Sequence, residues 1–203
     1  MADITDSILR ARKKRAKQAA ETAPHLTTAG GADAGDAAIA MIELLFFAYR
    51  DFTSDPDAIL ETYGFGRAHH RVLHFVNRSP GLRVADLLDI LKIRKQSLAR
   101  VLKQLVAEGF IERHPGPEDQ RERLLYTTER GRSLALTLLQ TQIARVSGAL
   151  GTSAADHIEQ LQDFLMRMVA EGERAKVADL IARGHKAARN QTEPVAPPAK
   201  ERP

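Results

Sequence analysis

The stretch from Val84 to Thr127 leaves this chain few folds to choose from, because three local signals of different period follow one another without a spacer. Val84, Leu87, Leu88 and Leu91 stand at i, i+3, i+4 and i+7, which predicts a helix over 84–91. Leu98, Val101, Leu102, Leu105 and Val106 predict a second helix over 95–108, with those residues inward. Gly109 comes next, where a helix end favours a residue that enters the left-handed region freely. Phe110-Ile111 and Leu124-Leu125-Tyr126 are short β-prone runs, parted by His114-Pro115-Gly116-Pro117-Glu118-Asp119-Gln120-Arg121. Proline and glycine force a loop there, so the two runs make a hairpin with a protruding tip. The order of elements is that of a winged helix-turn-helix, and the expected fold class is mainly α with a small β-hairpin wing.

The flanks are helical in pattern. The run Ala37 to Phe52 is apolar nearly all round, through Ile39, Met41, Ile42, Leu44, Leu45, Phe46, Phe47, Tyr49 and Phe52. A surface helix shows a narrower stripe, so this one must be buried. One small domain offers little to bury it, which favours a dimer interface; the other reading is a central core helix within one chain. Ser54, Asp55 and Pro56 predict a loop after it. A further helix is expected over 66–77, with Val72, Leu73, Phe75 and Val76 inward, closed by the turn Ser79-Pro80-Gly81. Thr128 with Glu129 opens a helix to about residue 150, and Thr152-Ser153 caps a last long one over 154–184, which Gly172 can bend. The chain thus divides into a flexible basic tail (1–36), an N-terminal dimerisation helix and loop (37–65), the winged helix-turn-helix (66–131), C-terminal dimerisation helices (132–185) and a disordered proline-rich tail (186–203).

Composition narrows the chemistry. With no cysteine there is no disulfide, thiolate metal site or thiol redox sensor. The longest apolar run, 39–48, contains Glu43 and is too short to span a bilayer, and the N-terminus lacks a signal-peptide core, so the expected location is the cytoplasm with no membrane partner. No phosphate-binding glycine loop, nucleophile elbow or zinc-hydrolase helix motif is present, which argues against an enzyme. Over 66–131 thirteen Arg and Lys face eight Asp and Glu, a modest excess that suits a site-specific DNA reader better than a bulk DNA coater.

A DNA-reading helix needs an apolar face to seat it and a hydrogen-bonding face toward the groove. The helix over 95–108 has both, with Lys95, Gln96, Ser97, Ala99, Arg100 and Lys103 on the open side. Glutamine pairs bidentately with adenine, and arginine or lysine with guanine. Ala99 permits close approach, while Arg94 and Lys103 are placed for phosphates. A charged helix face is by itself usually only solvated; the wing adds weight, because its Arg121 and Arg123 could enter a narrow, electronegative minor groove. Asp119 beside them is expected to pair with a basic group and hold the tip in shape.

With these residues named, the chain resembles the MarR family of bacterial transcriptional regulators over about 37–170. Arg67-Ala68-His69-His70-Arg71-Val72-Leu73 looks like the helix before the motif. Ile93 to Leu102 looks like the turn and recognition helix, and Asp119-Gln120-Arg121 followed by Thr128-Glu129-Arg130-Gly131 matches the Asp-x-Arg wing signature and its downstream Thr-Glu-x-Gly. Alphaproteobacterial PetP-like regulators are a nearer resemblance within it. Thr127, where an aliphatic residue is usual, and Arg94, where a small polar one is usual, depart from the pattern. The resemblance implies a six-helix, triangular homodimer interlocked through its first and last helices, bound to a pseudopalindromic operator with Arg121 in the minor groove. It also implies a small-molecule effector in a crevice between the dimerisation and DNA-binding parts, for which Phe47, Arg50, Tyr63, His70 and His74 are the candidates. His70 and His74 share a helix face at i, i+4, but no third ligand is evident, so neither metal nor cofactor is expected. The competing reading is a winged-helix protein-docking module or a nonspecific DNA-binding protein.

Overall fold

In the computed structural model, residues 34–117, 119–151 and 154–192 are described. The order is α1 (Ala34–Glu61), α2 (Arg67–Arg78), β1 (Leu82–Arg83), α3 (Val84–Leu91), α4 (Lys95–Ala107), β2 (Ile111–Pro115), β3 (Arg123–Thr127), α5 (Glu129–Leu150), α6 (Ala154–Met168) and α7 (Glu171–Thr192). The fold is a helical scaffold carrying one small antiparallel sheet, in the order β1-β3-β2. Of the expected N-terminal tail only 34–36 are described, and they open α1; of the expected disordered C-terminal tail, 186–192 instead continue α7, and the remainder of both tails lies outside the described residues.

The core is one cluster that runs from the helix-turn-helix and hairpin into the flanking helices, with Leu60 of α1 among its members. Leu87 and Leu91 of α3, Leu98, Val101, Leu102 and Leu105 of α4, Val72, Leu73 and Val76 of α2, and Phe110, Ile111 and Leu125 of the hairpin form one cluster with Leu134, Ala135 and Leu138 of α5. Val106 is not part of it: 36% exposed, it lies past the edge of the apolar stripe. Phe75 is only partly buried, at the rim of the same cluster.

Two capping details fix the hairpin's roots. Gly109 takes φ +73°, the left-handed conformation that ends α4 and turns the chain into β2. Thr128 caps α5 by accepting the Gly131 N–H at 3.0 Å, and its own hydroxyl donates to the Gly109 carbonyl at 2.7 Å. The register pairs Ile111 with Thr127 and Pro115 with Arg123, which leaves residues 116–122 as the tip. β1 adds a third strand, pairing Leu82 with Leu125 and Arg83 with Leu124. Nothing local announces a two-residue strand; its partner across the sheet creates it.

Three expectations about the helices' bounds and number change as well. First, α1 does not stop before Ser54-Asp55-Pro56 but runs through Pro56 to Glu61. Proline deletes one N–H from the ladder. Here Pro56 is buried, α1 packs on α5, and Arg145 of α5 holds Asp55 at 2.8 Å, so tertiary contact outweighs the lost bond. Leu60, fully buried, shows why the extra turn is retained. Second, the last long helix is two, which makes seven helices among the described residues rather than six. Third, the break falls at Val169-Ala170 and not at Gly172. The Arg174 guanidinium bends back to donate to the Arg167 carbonyl at 2.8 Å and the Val169 carbonyl at 3.0 Å, satisfying the free carbonyls at the end of α6. Beyond it α7 lies along α2, and Lys92 of the helix-turn-helix turn meets Glu173 at 3.3 Å.

α1 presents most of its apolar residues outward. Ile39, Met41, Ile42, Leu44, Phe46, Phe47 and Tyr49 are exposed in the single chain, as are Ile158, Leu161, Phe164, Leu165 and Met168 of α6. The described helices include none long and apolar enough to cross a membrane.

Candidate nucleic-acid interface

The buried face of α4 sets its open face. Because Leu98, Val101, Leu102 and Leu105 are seated in the core, Lys95, Gln96, Ser97, Ala99, Arg100 and Lys103 all point to solvent. Arg94 occupies the N-cap position in extended conformation, exposed, and caps nothing with its side chain. A guanidinium has no acceptor, so Arg94 cannot cap the first N–H groups of α4. Lys92, at φ +50°, makes the left-handed turn between α3 and α4.

The wing tip is shaped by its backbone. The Glu122 N–H donates to the Asp119 carbonyl at 3.0 Å and the Gly116 N–H to the Glu122 carbonyl at 3.3 Å. A Cβ on Gly116 would come within 2.8 Å of the Asp119 carbonyl, so this turn closes only over glycine. Asp119 does hold the tip, but not by pairing with a basic side chain: its carboxylate accepts the Arg121 backbone N–H at 2.8 Å. That is an Asx-type turn, and it leaves the neighbouring guanidinium uncommitted. Among the described residues none pairs with the Arg121 side chain. Arg123 differs, because its guanidinium folds back on the carbonyls of Gln120 and Glu122. Arg121 is thus the cation that the tip presents, and Arg123 stiffens the loop behind it.

Arg83 is not a residue that the sequence singles out. It precedes α3, forms a bidentate pair with Asp86 at 2.8 Å, and reaches Glu122 of the wing at 3.3 Å. The hydrogen bonds to Asp86, and then the one to Glu122, raise the Arg83 pKa, and Arg83 in turn lowers that of Asp86. Glu122 is acidic within the basic wing because it anchors the wing to α3. Each exposed pair of this kind contributes little energy, but together the three groups link the start of α3 to the wing.

The five crevice candidates do not converge. Phe47 and Arg50 stack on each other on the outer face of α1, 5.1 Å from guanidinium to ring centre, and Arg50 pairs with Asp51. Tyr63 packs edge-on against Phe110, with ring centres 5.7 Å apart. His70 is buried, and burial pushes its pKa down. His74 lines a cleft of about 340 Å³ between α2, α5 and α7, together with Phe75, Arg78, Ser79, Leu139, Ile143, Leu180 and Ile181, and the other four candidates are not among its walls. No local pattern announces this cleft, because its roof is α7 and the apolar spacing reads that stretch as one continuous dimerisation helix.

Burial, then the neighbouring His70 and Arg78, lower the His74 pKa to about 4. The unfolded chain binds a proton at this position near pH 6.5, the folded chain only near pH 4. Stability from this site is complete above pH 6.5 and declines as pH falls toward 4. Urea unfolding at fixed protein concentration should lose about 2 kcal/mol between pH 7 and pH 5 from this site. His74→Gln should flatten that part of the profile; a profile that matches the wild type would deny His74 the effect.

Comparison with known proteins agrees with this geometry. The sequence profile of the MarR family matches residues 63–122. The chain is 44% identical over 128 residues to the HTH-type transcriptional regulator PetP of Rhodobacter capsulatus, covering 63% of this chain and 77% of that protein. Among solved structures, a SlyA-like transcription regulator from Listeria monocytogenes aligns over 76% of this chain and 97% of its own, with a TM-score of 0.53 and 20% identity. A cysteine-to-serine mutant of E. coli MarR, complexed with operator DNA, aligns over 68% of this chain and 100% of its own, with a TM-score of 0.52 and 20% identity. The helix-turn-helix, the wing and the PetP likeness agree: the chain belongs to the MarR family of non-enzymatic, DNA-binding, winged-helix transcriptional regulators.

Proposed function

We propose that the protein works as a homodimer that reads a pseudopalindromic operator, with the α4 of each copy in a major groove and each Arg121 in the flanking minor groove. The observation that carries this is the division of labour on the wing: Asp119, Glu122 and Arg123 are spent on its shape, and Arg121 is left exposed at its tip. Gln96, Arg100 and Lys95 face the same solvent side as candidates for base edges, with Arg94, Lys103, Ser97 and Ala99 around them. Dimerisation would cover the apolar outer faces of α1 and α6, which exceed the scattered apolar residues normal on a monomer. A two-fold dimer presents its two α4 helices one DNA turn apart or a multiple of it, which matches a pseudopalindrome.

The cleft beside His74 is the place where a small, mostly apolar molecule would modulate the protein. Its walls come from α2 of the DNA-binding lobe and from α5 and α7, the helices that flank α6 in the chain. A ligand there acts only if it prefers one spacing of these elements over another.

Replacing Arg121 with alanine tests the DNA reading. Fluorescence anisotropy on a duplex that the protein has selected from a random-sequence pool should show binding about 10- to 100-fold weaker, with the dimer intact by light scattering. Unchanged affinity would remove the wing from the account. If Arg121→Glu left DNA binding intact but abolished a protein contact, the docking-module reading would stand instead.

A further inference from the structure

We propose that His69 is a positioning residue for the DNA-reading helix: with its tautomer set by the α2 cap, it fixes the roll of α4 through Gln104. This rests on the reading of α4 proposed above. The backbone N–H of Gly66 donates to His69 Nδ1 at 3.1 Å. That nitrogen can only be accepting, so the neutral ring carries its proton on Nε2. Nε2 lies 2.9 Å from Gln104 Oε1 and therefore donates to it. With its oxygen so engaged, the Gln104 amide turns its nitrogen to Glu108 Oε1, also at 2.9 Å. Each bond in the series settles the direction of the next, from the start of α2 to the end of α4.

The ring itself is held on its face. Phe65, buried, stacks on His69 with ring centres 4.7 Å apart and planes 6° from parallel. Phe65 meets Phe110 edge-on at 5.1 Å, and the Arg130 guanidinium covers the Phe110 ring at 4.2 Å. Arg130 then closes the circuit by donating to the Glu108 carbonyl at 2.7 Å. The C-terminal end of α4 is thus gripped by groups from the α1–α2 turn, α2 and α5.

Such a grip has work to do that the core cannot. Leu98, Val101, Leu102 and Leu105 seat α4 by apolar contact, which has no preferred direction. Hydrogen bonds do have one, falling away steeply with angle. A small roll of a 13-residue helix moves every side chain on its open face together. Contacts to base edges need the right roll; contacts to phosphates tolerate more error. Losing the His69–Gln104 link should therefore reduce discrimination between sequences more than affinity for DNA in general.

The test is a double-mutant cycle of His69→Ala and Gln104→Leu in the full chain. The probes are the duplex selected from a random pool and a scrambled duplex of the same composition. Gln104→Leu leaves the Gly66–His69 cap in place, so it isolates the link. It should weaken binding to the selected duplex roughly five- to tenfold, with little change on the scrambled one. The two replacements should be non-additive on the selected duplex. Nitrogen NMR of the His69 ring should show the Nε2–H tautomer in both the wild type and Gln104→Leu, with the hydrogen-bond shift of that proton present only in the wild type. Equal losses on both duplexes, in step with the urea midpoint, would overturn the proposal by making the link merely structural. An unbonded Nε2 in the wild type would overturn it as well. A wild-type protein that selects no sequence would instead bring down the DNA reading, and the positioning role with it, even if the NMR signature were present.

Discussion

Gly131→Ala should cost this protein on the order of 3–5 kcal/mol, enough to lower its melting temperature by about 10 °C. Gly131 is buried in the first turn of α5. A Cβ built there would lie 1.9 Å from the Phe110 carbonyl oxygen and 2.8 Å from its carbon. The obstacle is backbone, and that backbone is committed: the Phe110 carbonyl accepts the Thr128 N–H at 3.1 Å. Neither side can yield without pulling the root of β2 away from the start of α5. The Phe110 ring, wedged among Phe65, Tyr63 and Arg130, would have to move with it. Gly148 in the same helix is the control, because nothing lies within 4 Å of a Cβ built there. Alanine at 148 should stabilise by up to about 1 kcal/mol through helix propensity alone. Urea and thermal unfolding of both variants decide the matter, and a Gly131→Ala protein as stable as the wild type would mean that this junction is more open than described.

Phe46→Asp should raise the dimer dissociation constant by more than about a hundredfold. Phe46 is 70% exposed in the single chain, at the middle of the outward apolar face of α1. In a two-fold interface every substitution occurs twice, and an unpaired carboxylate at each copy must be desolvated on association. A cost of about 3 kcal/mol or more corresponds to the expected change. Sedimentation velocity across a concentration series measures it directly. The monomeric variant should keep its helical circular dichroism, because the core cluster around α4 does not include Phe46. A dimer as tight as the wild type would show that another surface joins the copies and leave the face of α1 unexplained.

How far the sequence could be read depended on the range of the forces that set each element. The spacing of Val84, Leu87, Leu88 and Leu91 places α3 at its observed bounds, because an apolar period within one helix is complete in itself. Gly109 and Thr128 were equally legible, since each cap is made by residues a few positions away or by the backbone next to it. The open face of α4 followed from its buried one. Pro56 does not end α1, because its burial and the Arg145–Asp55 contact join positions far apart in the chain, which no local pattern shows. Arg174 ended α6 from a distance of one turn beyond it, where the pattern of apolar residues simply continued. Asp119 holds the wing's shape through a backbone N–H and not a basic side chain, a choice between two short contacts that composition cannot make.

What the sequence determined by itself was the succession of elements and the identity of the residues on the open face of α4, because both follow from local periodicity and turn chemistry. Only the tertiary structure decided which charged groups are spent on architecture and which remain for a partner. Arg83, Arg123, Arg130 and Arg174 each close a contact inside the molecule, and Arg121 closes none with its side chain among the described residues. Five arginines of identical chemistry part company because a guanidinium is committed by whatever acceptor the folded chain brings within about 3 Å, and that distance does not exist until the helices have packed.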